Sequence, residues 1–199
     1  MIRSPWLRGL WVLPLVCAGA VAWAAQPSVG DPVVDVQLPD ETGKPHKLSD
    51  YRGKVVVFEW TNPDCPYVKR HYDADTMEKL STNLKADGVV WFAVNSTASN
   101  TPDDTIQWKK QQGFEYLTLQ DKQGELGKLM GAKTTPHMYV IGPDGKLAYT
   151  GAIDDDPRGD SEKPKNYVQD ATKALMGGLM PDPSSTQPYG CSVKYSASN

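Results

Sequence analysis

Between residues 33 and 180 the chain alternates between two hydrophobic periods. Val33 to Leu38 alternates apolar with polar residues, Asp40 to Gly43 is turn-forming, and His46-Lys47-Leu48 resumes, which predicts an N-terminal hairpin. A polar connection, Ser49 to Lys54, leads into Val55-Val56-Val57-Phe58, an unbroken apolar run suited to a strand covered on both faces. Glu59-Trp60 and the breaker Thr61-Asn62-Pro63-Asp64 follow, then Cys65-Pro66, then a helix-compatible stretch from Tyr67 to about Lys85. Val89 to Val94 reads as a buried strand. Pro102-Asp103-Asp104 opens a helix to about Gln112, because proline and acids suit a first turn. Phe114 to Leu119 is a short strand and Glu125 to Met130 a short helix. His137 to Ile141 and Lys146 to Thr150 flank an Asp-Gly turn and predict a hairpin. Pro164 to about Met176 forms a last helix, ended by Gly177-Gly178. The order implies an α/β fold, a mixed central sheet flanked by helices on both faces, with the N-terminal hairpin as an extension.

Outside that span the pattern changes. Arg3 and Arg8 precede a short apolar run, Leu10 to Ala22, and Ala22-Trp23-Ala24 supplies small residues at the positions that suit cleavage before Ala25. Residues 1–24 are therefore expected to be a signal peptide, with Cys17 inside it. The run is shorter than the roughly 20 residues a membrane helix needs, so no stable membrane insertion is expected after cleavage. The expected destination is periplasmic. Residues 25–180 are expected to form one domain, and 181–199 a Pro/Ser-rich tail. Two cysteines remain after cleavage, Cys65 and Cys191, too few for a disulfide scaffold but placed where thiols can be oxidised. Basic residues are scattered with no aromatic interleaving, which argues against a nucleic-acid partner.

Cys65 carries the candidate chemistry. On a strand-to-helix turn it lies at a helix N-terminus, where free N–H groups and the dipole favour thiolate over thiol. Its pKa is expected below that of a free cysteine, with Asp64 opposing. The alternative is an inert cysteine packed as a small hydrophobe.

Val29-Gly30-Asp31-Pro32 through Leu38, with Gly43, Leu48 and Tyr51-Arg52-Gly53-Lys54 before the valine strand, resembles the N-terminal half of the redoxin (alkyl hydroperoxide reductase/thiol-specific antioxidant) family. Cys65-Pro66 at the turn and Thr135-Pro136 before the hairpin are similar to a thioredoxin-fold active site. The resemblance implies a thioredoxin-like fold, a peroxiredoxin-like or thiol–disulfide oxidoreductase, and a cis Thr135–Pro136 bond facing Cys65. It also implies a substrate groove at Pro66, Thr135 and Pro136, no cofactor, and a redox partner protein or small thiol as electron donor. The chain departs from the family in three places, one being that neither Arg70 nor Arg158 has a sequence signal for the arginine that peroxiredoxins bring to the thiolate. Cys65-Pro66-Tyr67 is followed by Val68 rather than a second cysteine, and Asn62 and Phe58 stand where peroxiredoxins have threonine and proline.

Glu59 matches the buried acid of thioredoxins by its spacing from Cys65. Its own setting allows either burial on the Val57 face or a solvated strand end. Cys191, in Gly190-Cys191-Ser192, is the only intramolecular partner for Cys65 once residues 1–24 are removed, and is either a resolving thiol or a bystander. Reach permits pairing, since a tail running from Gly177 extends to roughly 45 Å, against a gyration radius of about 16 Å. His137 is expected near Cys65, His71 tilted away from it on the helix, and His46 on the surface. A copper or haem-assembly carrier using Cys65 with His137 or His71 is the rival from another class, and a redox-inactive binding module the second. Asp154-Asp155-Asp156 lacks the alternation of a calcium loop and reads as a solvated turn.

Overall fold

The computed structural model describes residues 26–196. The predicted signal peptide and its Cys17 lie outside the described residues. Short strands β1 (Leu38–Pro39) and β2 (Pro45–His46) form the N-terminal hairpin, and a 3₁₀ turn (Leu48–Tyr51) leads to β3 (Val56–Trp60). Then come α1 (Pro66–Asp73), α2 (Thr76–Ala86), β4 (Val90–Asn95), α3 (Pro102–Gln112), β5 (Leu117–Gln120) and α4 (Glu125–Met130). The chain continues through β6 (Thr134–Thr135), β7 (His137–Ile141), β8 (Leu147–Gly151), α5 (Tyr167–Met176) and β9 (Cys191–Ser192).

Five strands make the central sheet in the order β5-β4-β3-β7-β8. β3, β4 and β5 run parallel, while β7 and β8 are antiparallel additions. The valine run is uniformly apolar because both its faces are covered. Val55 and Val57 pack with Trp91, Met138 and Val140 under α1, α2 and α5. Val56, Phe58 and Trp60 pack with Phe92, Tyr139 and Ile141 against α4 and the N-terminal segment. This is the thioredoxin-like α/β architecture.

The single helix expected from Tyr67 to Lys85 is two. Asp75 adopts a left-handed conformation (φ 54°) between α1 and α2, which aspartate tolerates better than most residues. The break lets α2 lie over the sheet with Met77, Leu80 and Leu84 buried while α1 keeps Cys65 at its start. At α3 the sequence signals hold: Thr101 and Asp104 form a reciprocal capping box around Pro102.

One expectation fails at the surface. His46 is buried, its Nε2 2.9 Å from Asp40 and its Nδ1 2.6 Å from Tyr51 Oη. A hairpin of two-residue strands has little backbone pairing, and this side-chain cluster ties it down. The tail past residue 180, whose docking the sequence left open, is bonded back to the fold. Thr186 bonds across to Thr150 and Ala152, and β9 pairs antiparallel with β6.

Candidate active site

The turn that presents Cys65 is organised by Asn62. Its side chain accepts from the Asp64 amide at 2.9 Å and its carbonyl from the Cys65 amide at 3.0 Å. Cys65 is the N-cap of α1 and Pro66 takes the first helical position, where its missing N–H costs nothing. Pro66 is exposed, but the Cys65 side chain is buried, with 1% of its surface exposed.

Across from it, the Thr135–Pro136 bond is cis and both residues are buried. Cys65 Sγ–H donates to Thr135 O at 3.0 Å. The tail completes the site: Cys191 stands in register opposite Thr135 in the β6–β9 pairing. Gly190 makes this approach possible. Its φ is +134°, and a Cβ there would lie 2.1 Å from Thr135 O. The structure thus brings Cys65, Thr135, Pro136 and Cys191 together, and the tail lies in the groove expected beside Thr135.

The two thiols differ. Burial pushes the Cys65 thiol up, but hydrogen bonds from Cys191, the Thr135 side chain and the Val68 amide outweigh it and hold Cys65 below the ordinary cysteine value. Cys191 is raised to about 11, first by burial and then by hydrogen bonding and charge repulsion from Cys65. Of the two, Cys65 is the thiol that ionises more readily, and Cys191 is the half-buried one that keeps its proton longer.

Glu59 is fully buried, on the α1 side of β3. Tyr72 Oη donates to Oε1 at 3.0 Å and Trp91 Nε1 to Oε2 at 3.1 Å, and Tyr116 Oη reaches Tyr72 Oη at 2.7 Å. Burial raises its pKa to about 7 against these donors, so it holds a proton through the acid range. Among the described residues no hydrogen bond joins it to Cys65. The link is indirect, through Tyr72 two turns along α1.

The histidines do not converge on the sulfur. His137 turns to the far face of β7, where its Nδ1 meets Tyr139 Oη at 3.1 Å and its Nε2 meets Thr150 Oγ1 at 3.2 Å. Strand alternation sends Met138, not His137, to the Cys65 side. His71 Nε2 instead meets Tyr189 Oη at 3.0 Å. Asp154, expected to be solvated, is buried and accepts from Tyr189. Among the described residues no group of three His, Cys, Asp or Glu side chains clusters as metal ligands. No described helix is long and apolar enough to cross a membrane.

The sequence profile of the AhpC/TSA family matches residues 29–150, more than half of the chain. The chain belongs to the AhpC/TSA family. The thiol–disulfide oxidoreductase ResA of Geobacillus thermodenitrificans is 26% identical over 120 residues, 60% of this chain and 67% of that protein. A Mycobacterium tuberculosis protein, MT1643, named among the peroxiredoxins, is 30% identical over 134 residues, 59% of this chain and 80% of its own. The fold matches the crystal structure of SMc02350 from Sinorhizobium meliloti, with a TM-score of 0.78 at 22% identity, covering 87% of this chain and 98% of that one. This AhpC/TSA protein is a thiol-dependent oxidoreductase of thioredoxin-like fold. The match to the family ends at residue 150, so Cys191 lies beyond it. Asn62, Tyr189 and Gly190 carried no chemical signal in the sequence, although Gly190 beside a cysteine is a place where a close backbone approach was readable.

Proposed function

We propose that this protein is an exported oxidoreductase that cycles between a Cys65/Cys191 dithiol and disulfide while reducing a small peroxide or disulfide. The observation that carries this is the seating of Cys191 opposite Thr135, beside a depressed Cys65. The Cys65 thiolate attacks one oxygen of a peroxide, the O–O bond breaks, and the departing alkoxide or hydroxide takes a proton. Cys65 becomes a sulfenic acid. Cys191 sulfur then attacks Cys65 sulfur, the S–O bond breaks, and water leaves with the Cys191 proton. With a disulfide substrate the first step gives a mixed disulfide, and Cys191 displaces the second thiol. Two electrons, from a dithiol of a partner protein or from two molecules of a small thiol that leave as a disulfide, return the pair to the dithiol.

Two features favour a small oxidant. Cys65 is 1% exposed, and the strand edge beside it is filled by the chain's own tail. Export rests on the leader-like residues 1–24, and N-terminal sequencing of the mature protein is expected to begin at Ala25. Residues 181–199 act on this reading as part of the catalytic domain. The test is peptide mapping after brief exposure to hydrogen peroxide and, separately, to a small aromatic disulfide. The expected product is a Cys65–Cys191 cross-link lighter by two hydrogens, absent from Cys65→Ser. Cys191 remaining alkylatable while Cys65 is oxidised overturns the two-cysteine cycle.

A further inference from the structure

Two residues before Cys191, the tail is gripped by the helix that carries Cys65. Tyr189 Oη donates to Asp154 Oδ1. Its only proton is spent there, and His71 Nε2 lies 3.0 Å from the same oxygen and 3.4 Å from Arg70 Nη2. Asp154 and His71 are each 4% exposed, which shields the contact from water. The ring is held as well. The Arg70 guanidinium carbon lies 5.8 Å from its centroid, and Tyr67 packs at 6.0 Å. Arg70 in turn donates to Pro157 O at 3.0 Å and Asp156 O at 2.9 Å, which fixes the loop that supplies Asp154.

Tyr67, Arg70 and His71 all belong to α1, whose N-cap is Cys65. On its other side Cys191 is held by the two-residue β6 pairing, by Val193 N–H donating to Lys133 O at 3.1 Å, by Lys194 O accepting from the Ala98 amide at 3.0 Å and by Tyr195 Oη donating to Ala132 O at 2.8 Å. None of these contacts reaches α1, so Tyr189 is the tail's tie to the helix that starts at Cys65.

We propose that Tyr189 is a positioning residue for the cysteine pair: clasped by His71 and Asp154, it ties the tail to the Cys65 helix and sets Cys191 against Cys65. This rests on the two-cysteine reading above. The clasp acts on proximity and not on Cys65 itself, because none of its atoms bonds the sulfur. It also explains why a surface loop keeps a buried carboxylate: the Asp154 lone pair that Tyr189 uses would otherwise be desolvated for no partner beyond the Asp156 amide at 3.0 Å.

Tyr189→Phe keeps the ring and removes only the hydroxyl. The equilibrium between Cys65–Cys191 disulfide and glutathione gives the effective concentration of one thiol at the other. Losing a hydrogen bond to a charged acceptor is expected to lower it about ten- to a hundredfold. In a Cys191→Ser background, the Cys65 alkylation rate is expected to be the same with and without Tyr189→Phe, and the reduced proteins should melt within a few degrees of each other. Hydrogen exchange of the amides from Gly190 to Val193 should accelerate in Tyr189→Phe, a readout independent of either thiol. An unchanged effective concentration in a variant whose parent forms the disulfide overturns the clasp and leaves the cycle standing. A parent that forms no disulfide overturns both. A Cys65 rate that falls with the hydroxyl shows action on the nucleophile and likewise overturns a role in positioning.

Discussion

Replacing Glu59 with glutamine separates the cost of its charge from the shape of its site. The carboxyl is fully buried and its pKa is about 7 against an ordinary 4.5, with burial as the leading cause. Below 4.5 the group is protonated whether the chain is folded or not, and stability is full. As pH rises through 4.5 the unfolded chain ionises while the folded one keeps its proton, so stability falls until about pH 7 and then levels. That interval corresponds to about 3 kcal/mol. Glutamine carries no such penalty and fits the donors present. Its oxygen keeps Trp91 Nε1, and its N–H₂ takes the place of Oε1 beside Tyr72 Oη, whose proton then turns to Tyr116. Urea denaturation of both reduced proteins from pH 4 to 8 is the assay. Glu59→Gln should match the parent near pH 4 and exceed it by about 3 kcal/mol at pH 8. Equal slopes between pH 4.5 and 7, or a variant less stable at pH 8, would refute the reasoning. Glu59→Leu should be worse than either, because it orphans the Trp91 and Tyr72 donors.

Three other outcomes are expected. In pH series of alkylation rate, the Cys65 half-point should lie below the free-thiol value of about 8.5 and rise when Cys191→Ala removes the donor to its sulfur, and a half-point that Cys191→Ala leaves unmoved counts against the pairing. Gly190→Ala should undock the tail, since its Cβ would sit 2.1 Å from Thr135 O at φ +134°. Cys191 alkylation should then speed up at least tenfold, and an unchanged rate would show the close approach to be dispensable. Although burial pushes Asp40 up, donors from Thr42, His46 and Lys44 hold it at about 2. Being depressed, it adds stability above its ordinary 3.8 that is lost as pH falls from 4 to 2, about 2 kcal/mol; an Asp40→Asn variant with the same acid slope as the parent would count against this.

The central sheet was legible because its signals were local. A continuous valine run needs cover on both sides, and Asp144-Gly145 between apolar runs makes a hairpin wherever it stands. Cys65 was legible for the same reason, being defined by the turn it sits on. Misreadings came where distant contacts decide. Nothing near His46 announces Asp40 and Tyr51 as partners, so a histidine in a hairpin read as exposed. His137 was placed beside Cys65 by sequence order, yet strand alternation sends it to the opposite face from Met138. The break at Asp75 hides in a pattern that stays amphipathic across it, because α1 and α2 bury the same side of the sheet. Cys191 was recognised as the only available partner, but its seat depends on β6, on Gly190 and on Tyr189, whose partners all lie far away in the chain.

Among the described elements the strand bearing Cys191 comes last, and this sets an order of events whenever the chain is delivered N-terminus first. The fold as far as α5 can assemble while the tail is still in the channel. During that interval Cys65 lacks both its lid and its neighbour, and the Thr134–Thr135 edge stands open to a strand or thiol from another molecule. Arrival of the last segment shuts that window. Closure of the site over Cys65 therefore waits on the pairing of β9 with β6, the latest contact in chain order among the described strands.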